Sequence, residues 1–241
     1  MVDECRVCGP PPLTRVCKIL LIINVAVWAV LLAAGVTDDS VYEELMEFLA
    51  LTPALAAGQG HVWQLVTSIF LHVDPWHILF NMIGLYFFGP TLELRLGPRT
   101  FIRLFLVSGV VGSVCTVALA YLAPRLGLIQ SQVLGASGAI FGLLAVYATV
   151  SPNQIFLVFF MVPMRARNMA ILFIALDAYF LILGRGGVAY SAHLGGALGG
   201  WLFYRWTNGR PPGSGLGRRR LRVVDDSRVI DARFRRITRD L

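Results

Sequence analysis

Long uncharged apolar runs are the feature that most restricts how this chain can fold. Residues 104–123 contain no charged side chain, and residues 126–164 contain none over an even longer stretch. A helix of about 20 apolar residues crosses the hydrocarbon core of a bilayer, which is roughly 30 Å thick. Across the whole chain 56% of the residues are hydrophobic and 15% are charged, which exceeds what a soluble domain can bury. The sequence therefore predicts an integral membrane protein.

Six apolar runs are separated by polar segments, which predicts an all-α bundle of six membrane-spanning helices. The predicted spans are residues 19–36, 76–90, 104–123, 134–150, 168–183 and 187–204. The turn signal Ser151-Pro152-Asn153 ends the fourth span and leaves residues 155–162 as a short buried or interfacial piece. A secretory signal peptide is the competing interpretation of the first run. No small-residue cleavage site and soluble domain follow it, so we interpret it as an anchor.

Basic residues set the predicted orientation, because short cytoplasmic loops retain lysine and arginine. With both termini inside, 19 of the 21 basic residues lie on the cytoplasmic side, and only Arg125 and Arg185 face outward. The loop between the first two spans, residues 37–75, carries six acidic residues and no basic one, so it belongs outside. Because the chain shows no organelle presequence and has a compact six-span plan, we expect it in a bacterial inner membrane.

The ends of the chain differ in composition from the spans. We divide the sequence into a short cytoplasmic N-terminal tail (1–15), a six-span domain (16–206) and a basic tail (207–241) that we expect to be disordered. The arginines of the basic tail explain much of the net charge of +7 and can contact anionic lipid head groups. We expect no nucleic-acid partner, because this tail has one aromatic residue and no binding motif.

The cysteines give little indication of a metal site. Cys5 and Cys8 form a C-x-x-C pair, which is half of a common zinc site. Cys17 follows, but no fourth ligand lies nearby, so we expect reduced thiols, no metal and no cofactor. Cys115 lies within the third span, where we expect it to pack against neighbouring helices, and we expect no disulfide.

Several polar residues of the spans lie at one predicted depth. Spans two, four and six all run from outside to inside, so the residues that begin them lie at a similar distance below the outer surface. The polar residues in these positions are His77, Asn81, Ser137 and His193. The topology rests on arginine and lysine alone, so this convergence independently indicates a functional site.

The residue types at this depth suit acyl-transfer chemistry. Serine becomes a good nucleophile when a base takes its proton, and histidine is the usual base because its pKa lies near neutrality. Ser137 and His193 can form this pair. His77 and Asn81 are four residues apart, so they share one helical face and can both donate hydrogen bonds to an oxyanion. The backbone N–H of Ser137, near a helix start, can add a further donor.

Glycines accompany both members of the predicted pair. Gly196 and Gly200 lie on the same face of span six as His193. Gly138 and Gly142 lie on span four. Because small residues let membrane helices approach closely, we expect spans four and six to pack backbone to backbone and to bring the serine and the histidine within reach.

The stretch VLGASGAIFG, residues 133–142, also has a simpler interpretation. A Gly-x-Ser-Gly segment in a membrane helix often serves packing alone, with its hydroxyl bonded to its own backbone. It lacks the final glycine of the G-x-S-x-G elbow found in soluble hydrolases. Packing alone does not explain four polar residues at one depth, so we favour a catalytic site.

Four motifs carry a resemblance to a known family. They are HVDPWHILFN (72–81), GPTLELRLG (89–97), GASG (135–138) and AHLGGALGG (192–200). From about residue 51 to residue 206 the chain resembles the rhomboid intramembrane serine proteases. The resemblance implies an endopeptidase that cleaves transmembrane proteins near their outer boundary. It also implies a Ser-His dyad without a third acid, metal or cofactor, and a membrane-embedded outer loop between spans one and two.

The resemblance assigns a role to each residue of the predicted site. Ser137 would be the nucleophile and His193 the general base. His77, Asn81 and the backbone amide of Ser137 would form the oxyanion hole. The alternative is a catalytically inactive relative that binds membrane clients, although such proteins usually lack the serine or the histidine. A transporter or channel would need paired charges across the bilayer and ranks last.

Two positions depart from the family pattern, and three charged residues need an interpretation. Phe141 stands where some members have a tyrosine packed on the catalytic histidine, and Gln64 stands where many have an arginine in the outer loop. Asp177, near the middle of span five, is interpreted as a structural hydrogen-bond partner or a protonated acid and not as a third catalytic residue. Glu93 and Arg95 lie at the cytoplasmic end of span two, far from the predicted site, and are interpreted as structural.

Overall fold

The computed structural model describes residues 12–158, 161–183 and 188–208, apart from the side chains of residues 188 and 189. Helices dominate this part of the chain. In chain order they are α1 (Arg15–Thr37), α2 (Asp39–Leu49), α3 (Pro53–Gly58), α4 (Gln64–Thr67), α5 (Pro75–Leu96), α6 (Pro98–Leu122), α7 (Ser137–Val150), α8 (Ala166–Ile182) and α9 (Val188–Asn208). Short 3₁₀ turns cover Ser68–Phe70 and Pro124–Leu126. Two strands, β1 (Ile155–Val158) and β2 (Val162–Arg165), form an antiparallel hairpin between α7 and α8.

The six predicted spans coincide with the six longest helices of the described residues, α1 and α5 to α9. Two of them, α1 and α6, are long and apolar enough to cross a membrane by length and hydropathy, and α7 is apolar but has only 14 residues. The helical bundle is therefore present, and six membrane crossings stay a prediction. The predicted tails and the C-x-x-C pair fall mostly or wholly in residues 1–11 and 209–241, outside the described residues.

Helix α5 is longer than the sequence predicts. The second span was expected to end at Pro90, but the helix passes through this buried proline and ends six residues later, at Leu96. An interior proline is tolerated where packed neighbours surround it. Gly97, with a φ of +82°, then joins α5 directly to α6, and glycine adopts this conformation without steric cost.

Residues 155–158 form β1 of the hairpin, and residue 162 begins β2. The ring of Phe156 packs against Phe87 of α5, with ring centroids 6.1 Å apart, and against Tyr147 of α7, at 5.2 Å. The side chains of Leu157 and Met161 are exposed, the latter by 78%. Val158 and Met164 are also partly buried and pack against the same core, so one side of the hairpin contacts the bundle and the other side faces outward. The segment is thus partly buried, and an interfacial position stays a prediction.

Helices α6, α7 and α9 meet at the centre of the bundle through glycines. A Cβ atom on Gly196 of α9 would overlap the carbonyl group of Gly138 of α7. A Cβ atom on Gly200 would lie 2.7 Å from the Cα atom of Gly142. From α6, the side chain of Ser108 fills the remaining space beside Gly142. The predicted close approach of the fourth and sixth spans is confirmed.

The segment between α1 and α5 is folded around one buried amide side chain. Gln64, which is 0% exposed, donates from Nε2 to the carbonyl of Glu47 (2.8 Å) and accepts at Oε1 from the backbone N–H of Thr52 (3.1 Å). The neighbouring Trp63 donates from Nε1 to the carbonyl of Phe48 (2.8 Å). These bonds tie α4 to the end of α2. Gln64, one of the two residues that depart from the family pattern, therefore still anchors this loop.

Two charged residues at the far end of α5 cap other helices. Glu93 accepts hydrogen bonds from Oγ1 of Thr14 (2.5 Å) and from the backbone N–H of Cys17 (2.8 Å), at the start of α1. Arg95 donates from Nη1 to the carbonyl of Val150 (2.8 Å), at the end of α7. A carboxylate at a helix N-terminus and a guanidinium at a C-terminus also match the helix dipoles. The structural interpretation of Glu93 and Arg95 is confirmed.

Candidate active site

Ser137 is the first residue of α7, and a sharp turn leads into it. Gly135 has a φ of +118°, which an L side chain rarely adopts, and its N–H donates to the carbonyl of Ser68 (2.8 Å). The chain then enters the helix through Ala136, which is fully buried. Because the first amides of a helix have no acceptor within it, the backbone N–H of Ser137 belongs to a natural anion-binding position.

The structure brings Ser137 and His193 into direct contact. The Oγ atom of Ser137 lies 2.8 Å from Nε2 of His193, so the two side chains share a hydrogen bond between α7 and α9. The glycine contacts between these helices lie close by: Gly196 and Gly200 follow His193 by three and seven residues on α9, and Gly138 is the residue directly after Ser137 on α7. A serine hydroxyl at hydrogen-bond distance from an imidazole nitrogen is the arrangement required for general-base activation.

The other ring nitrogen of His193 contacts Asp177 of α8. Nδ1 lies 2.8 Å from Oδ2 of Asp177, and the two side chains are only 15% and 12% exposed. The sequence interpretation allowed a structural hydrogen-bond partner at Asp177 but did not identify the partner, which is the central histidine. The signal that we missed is the position of each residue relative to the segment that joins the two helices. Asp177 lies five residues before the end of α8, and His193 lies five residues after the start of α9.

The ring of Phe141 covers one face of the His193 imidazole. One helical turn after Ser137, its ring stacks on the His193 ring with centroids 4.2 Å apart and planes inclined by 10°. An aromatic ring at this position was expected from the resemblance, and the phenyl group provides it. The imidazole is therefore bounded by a hydroxyl, a carboxyl and an aromatic face.

His77 lies beside the serine. A Cβ atom built on Gly135 would lie 2.6 Å from Nε2 of His77 and 3.7 Å from Oγ of Ser137, so only a hydrogen at this position leaves room for the imidazole. The start of α5 is fixed by Asp74, whose Oδ1 accepts from the backbone N–H of His77 (2.8 Å). The structure thus places this histidine next to the predicted nucleophile.

Asn81 is buried one turn further along α5. Its Nδ2 donates to the carbonyl of His77 (2.8 Å), which orients the amide along the same helix face. An amide nitrogen has two hydrogens, so one donor remains for another acceptor. The predicted face that combines His77 and Asn81 is therefore present.

His72 supports His77 from the loop that precedes α5. The two imidazole rings meet edge to face with centroids 5.0 Å apart, and His72 is 2% exposed. Burial and, to a smaller extent, the nearby His77 lower the pKa of His72 to about 4, although the Phe70 backbone and Asp74 act in the opposite direction. His72 is therefore neutral at physiological pH and acts as a packing partner of the site.

The described cysteines lie away from the site. Cys17 is buried in α1, where its Sγ lies against Gly89 of α5, and Cys115 lies in α6 against Gly195 of α9. Cys5 and Cys8 belong to the residues that the structure does not describe. Among the described residues, no group of three or more histidine, cysteine or acidic side chains is placed to hold a metal ion.

Comparison with known proteins gives consistent matches. The model of the Rhomboid domain matches residues 59–209, more than half of the chain. The chain is 33% identical over 150 residues to the putative rhomboid protease YdcA of Bacillus subtilis (strain 168), covering 61% of this chain and 68% of that protein. It is 30% identical over 184 residues to the rhomboid protease GluP of the same organism, covering 76% and 33%.

A match to a eukaryotic protein is equally clear. The chain is 34% identical over 148 residues to RHOMBOID-like protein 12, mitochondrial, of Arabidopsis thaliana, covering 57% of this chain and 44% of that protein. The matched part spans less than half the length of this relative and of GluP. The relatives therefore include both bacterial and mitochondrial proteins.

Proposed function

Because the chain belongs to the rhomboid family of membrane proteases, we propose that it is an intramembrane serine endopeptidase acting on transmembrane proteins near their outer boundary. The observation that carries the proposal is the 2.8 Å separation between Oγ of Ser137 and Nε2 of His193. Both residues lie close to the starts of their helices, and the distribution of basic residues assigns these ends to the outer side.

The proposed reaction proceeds through an acyl-enzyme. As Oγ of Ser137 attacks the scissile carbonyl carbon, Nε2 of His193 takes the hydroxyl proton. The same proton passes to the leaving amine nitrogen when the C–N bond breaks. Water then attacks the ester carbonyl carbon and gives a proton to His193. When the ester bond breaks, His193 returns this proton to Oγ of Ser137, and the acyl product leaves as a carboxylic acid. The nucleophile and the base are both supplied by the chain, so we expect no cofactor.

The oxyanion of the tetrahedral intermediate needs donors that are already in place. We assign this role to Nε2–H of His77, the free amide hydrogen of Asn81 and the backbone N–H of Ser137. The contact of His77 with Gly135 and the position of Ser137 at a helix start support the assignment. Each such donor contributes about 3 to 4 kcal/mol of barrier lowering in comparable sites.

In this proposal the protein lies in the bilayer, and its substrates reach it from the same bilayer. Helices α1 and α6 are long and apolar enough to cross it, and we propose that α5, α7, α8 and α9 cross with them in the six-span topology with cytoplasmic termini. The substrates are then transmembrane proteins whose chain reaches the outer ends of α7 and α9. A bacterial inner membrane is proposed from the sequence plan, and the outer segment between α1 and α5 is proposed to be membrane-embedded.

Labelling with a fluorophosphonate probe tests whether Ser137 is an activated nucleophile. The full chain in detergent or liposomes is treated with the probe, and cleavage of a reporter protein with one transmembrane segment is followed in parallel. We expect labelling and cleavage by the wild-type protein and neither by Ser137→Ala. Ser131→Ala, which changes a serine in the loop before α7, is the matched control and should behave as wild type.

Two results would contradict the proposed protease activity. A folded wild-type protein that neither reacts with the probe nor cleaves the reporter would overturn the proposed activity and favour a family member that binds membrane clients. Cleavage by Ser137→Ala at the wild-type rate would also overturn it. The chain has both Ser137 and His193, and the two side chains lie at hydrogen-bond distance, which argues against the inactive alternative.

A further inference from the structure

We propose that Asp177 is a positioning residue for His193, so that the site operates as a Ser-His-Asp triad and not as a dyad. The inference rests on the proposed function and adds a residue to it. Its basis is a continuous chain of two hydrogen bonds, from Oδ2 of Asp177 to Nδ1 of His193 (2.8 Å) and from Nε2 of His193 to Oγ of Ser137 (2.8 Å).

The first hydrogen bond selects one tautomer of the imidazole. An ionised carboxyl group only accepts hydrogen bonds, so Nδ1 of His193 must carry the proton that it donates to Asp177. The lone pair of Nε2 then faces the hydroxyl of Ser137, as a general base requires. Without the carboxyl group both tautomers become accessible, and the tautomer with Nε2–H cannot accept the serine proton.

The carboxyl group also matches the charge that develops during the reaction. When Nε2 takes the proton from Ser137, the ring of His193 becomes an imidazolium with protons on both nitrogens. Asp177 remains ionised, keeps the Nδ1 proton as a donor to itself and stabilises the positive ring. When the proton leaves Nε2 for the amine, the ring returns to its starting tautomer, so no net proton passes to the acid.

The packing of α8 indicates that this contact is specific. The buried residues of α8 are Ala166, Met169, Ala170 and Asp177. The first three lie in the half of the helix next to the hairpin, whereas Asp177 is the buried residue of the outer half. Its neighbours Leu176 and Tyr179 are exposed by 42% and 57%. The side chain that is buried in the outer half of α8 is therefore an acid and not an apolar residue.

The geometry leaves His193 little freedom to use another partner. The ring of Phe141 covers one face of the imidazole, at a centroid distance of 4.2 Å. One turn beyond Asp177, Phe180 stacks on Tyr190 of α9 with centroids 5.6 Å apart, which fixes α8 against α9 beside the acid. Aromatic contacts thus set both the plane of the His193 ring and the position of the Asp177 carboxyl group beside it.

A purely structural hydrogen bond between α8 and α9 is the competing role, and variants separate the two roles. Asp177→Asn keeps the shape of the side chain and removes the charge, whereas Asp177→Glu keeps the charge and changes the length. Thr116→Val is the matched control, because Oγ1 of Thr116 makes another buried hydrogen bond to α9, at Oγ of Ser191 (2.8 Å), away from the imidazole. For each protein the melting temperature, kcat, KM and the rate of fluorophosphonate labelling are measured.

We expect the activity to follow the carboxyl group and not the melting temperature. Asp177→Asn should lower kcat and the labelling rate by roughly 10- to 1,000-fold with KM within about twofold of wild type. Asp177→Glu should retain more activity than Asp177→Asn at a similar melting temperature. Thr116→Val should lower the melting temperature and leave kcat unchanged.

The opposite ordering overturns the inference. If kcat falls in step with the melting temperature across all three variants, or if folded Asp177→Asn matches wild type, Asp177 has a structural role only. Those results leave the proposed protease intact, because the wild-type protein is active in both. An inactive wild-type protein, in contrast, overturns the protease itself together with the triad.

Discussion

Gly196 of α9 and Gly138 of α7 touch backbone to backbone, so that a single added methyl group on Gly196 would overlap the Gly138 carbonyl. On α7 this contact is made by the residue directly after Ser137, and on α9 by the residue three positions after His193. The separation of the two reacting side chains is therefore set by glycines that have no chemistry of their own.

Gly196→Ala should push α9 away from α7 and weaken the contact between Ser137 and His193. We expect a loss of about 1 to 3 kcal/mol in the free energy of unfolding, as for overpacked cores, and at least a tenfold slower fluorophosphonate labelling. Leu198→Ala, which changes an exposed side chain of the same helix, is the control and should alter neither value. Wild-type labelling by Gly196→Ala would show that the glycine contact does not position the pair.

His77→Ala should slow catalysis with little effect on substrate binding, because an oxyanion donor acts mainly in the transition state. We expect kcat to fall by roughly 100- to 1,000-fold and KM to stay within about threefold, measured with the transmembrane reporter. His61→Ala changes a histidine that stacks on Trp63 in the outer segment and should keep the wild-type kcat. A larger effect on KM than on kcat would contradict the proposed role of His77.

Gln64→Ala should loosen the segment between α1 and α5, because it leaves the buried Thr52 amide and the partly buried Glu47 carbonyl without their side-chain partner. A loss of about 1 to 3 kcal/mol in the free energy of unfolding is expected. Thermal unfolding in detergent measures it. Val62→Ala, at a neighbouring position whose side chain is 62% exposed, should be close to neutral. Equal stability of the two variants would mean that Gln64 does not anchor the loop.

His72 should make the protein less stable as the pH falls. Its pKa is about 4 in the folded protein and 6.5 in its unperturbed form, so the unfolded chain binds the proton more readily. The stability is complete above about pH 6.5 and is lost progressively as the pH falls to about 4, by roughly 3 kcal/mol in total. His72→Phe should remove this part of the pH dependence of thermal unfolding. Parallel curves for the two proteins would contradict the assignment.

Long apolar runs made the six main helices predictable, since each is identified by its own composition. The grouping of Ser137, His193, His77 and Asn81 was also predictable, because the distribution of basic residues predicts the direction of each helix independently. The structure then adds distances that composition cannot supply.

The features that the sequence did not reveal all depend on contacts between distant segments. The short helices around Gln64 are held by buried hydrogen bonds and not by a periodic pattern. The β-hairpin is held by Phe156, Val158 and Met164, which pack against the helices of the core. The contact of Asp177 with His193 depends on how α8 and α9 align side by side. The sequence around one acid in an apolar helix does not reveal how that helix aligns with its neighbour.

The capping of α1 by Glu93 has a consequence for how the protein is made. The amide of Cys17 and its acceptor are separated by 76 positions in the chain. During synthesis α1 therefore leaves the ribosome long before the residue that completes its first turn. The amides at the start of α1 rely on other acceptors or on water until α5 has been synthesised. The first turn of the earliest helix is thus completed only after the fifth helix exists.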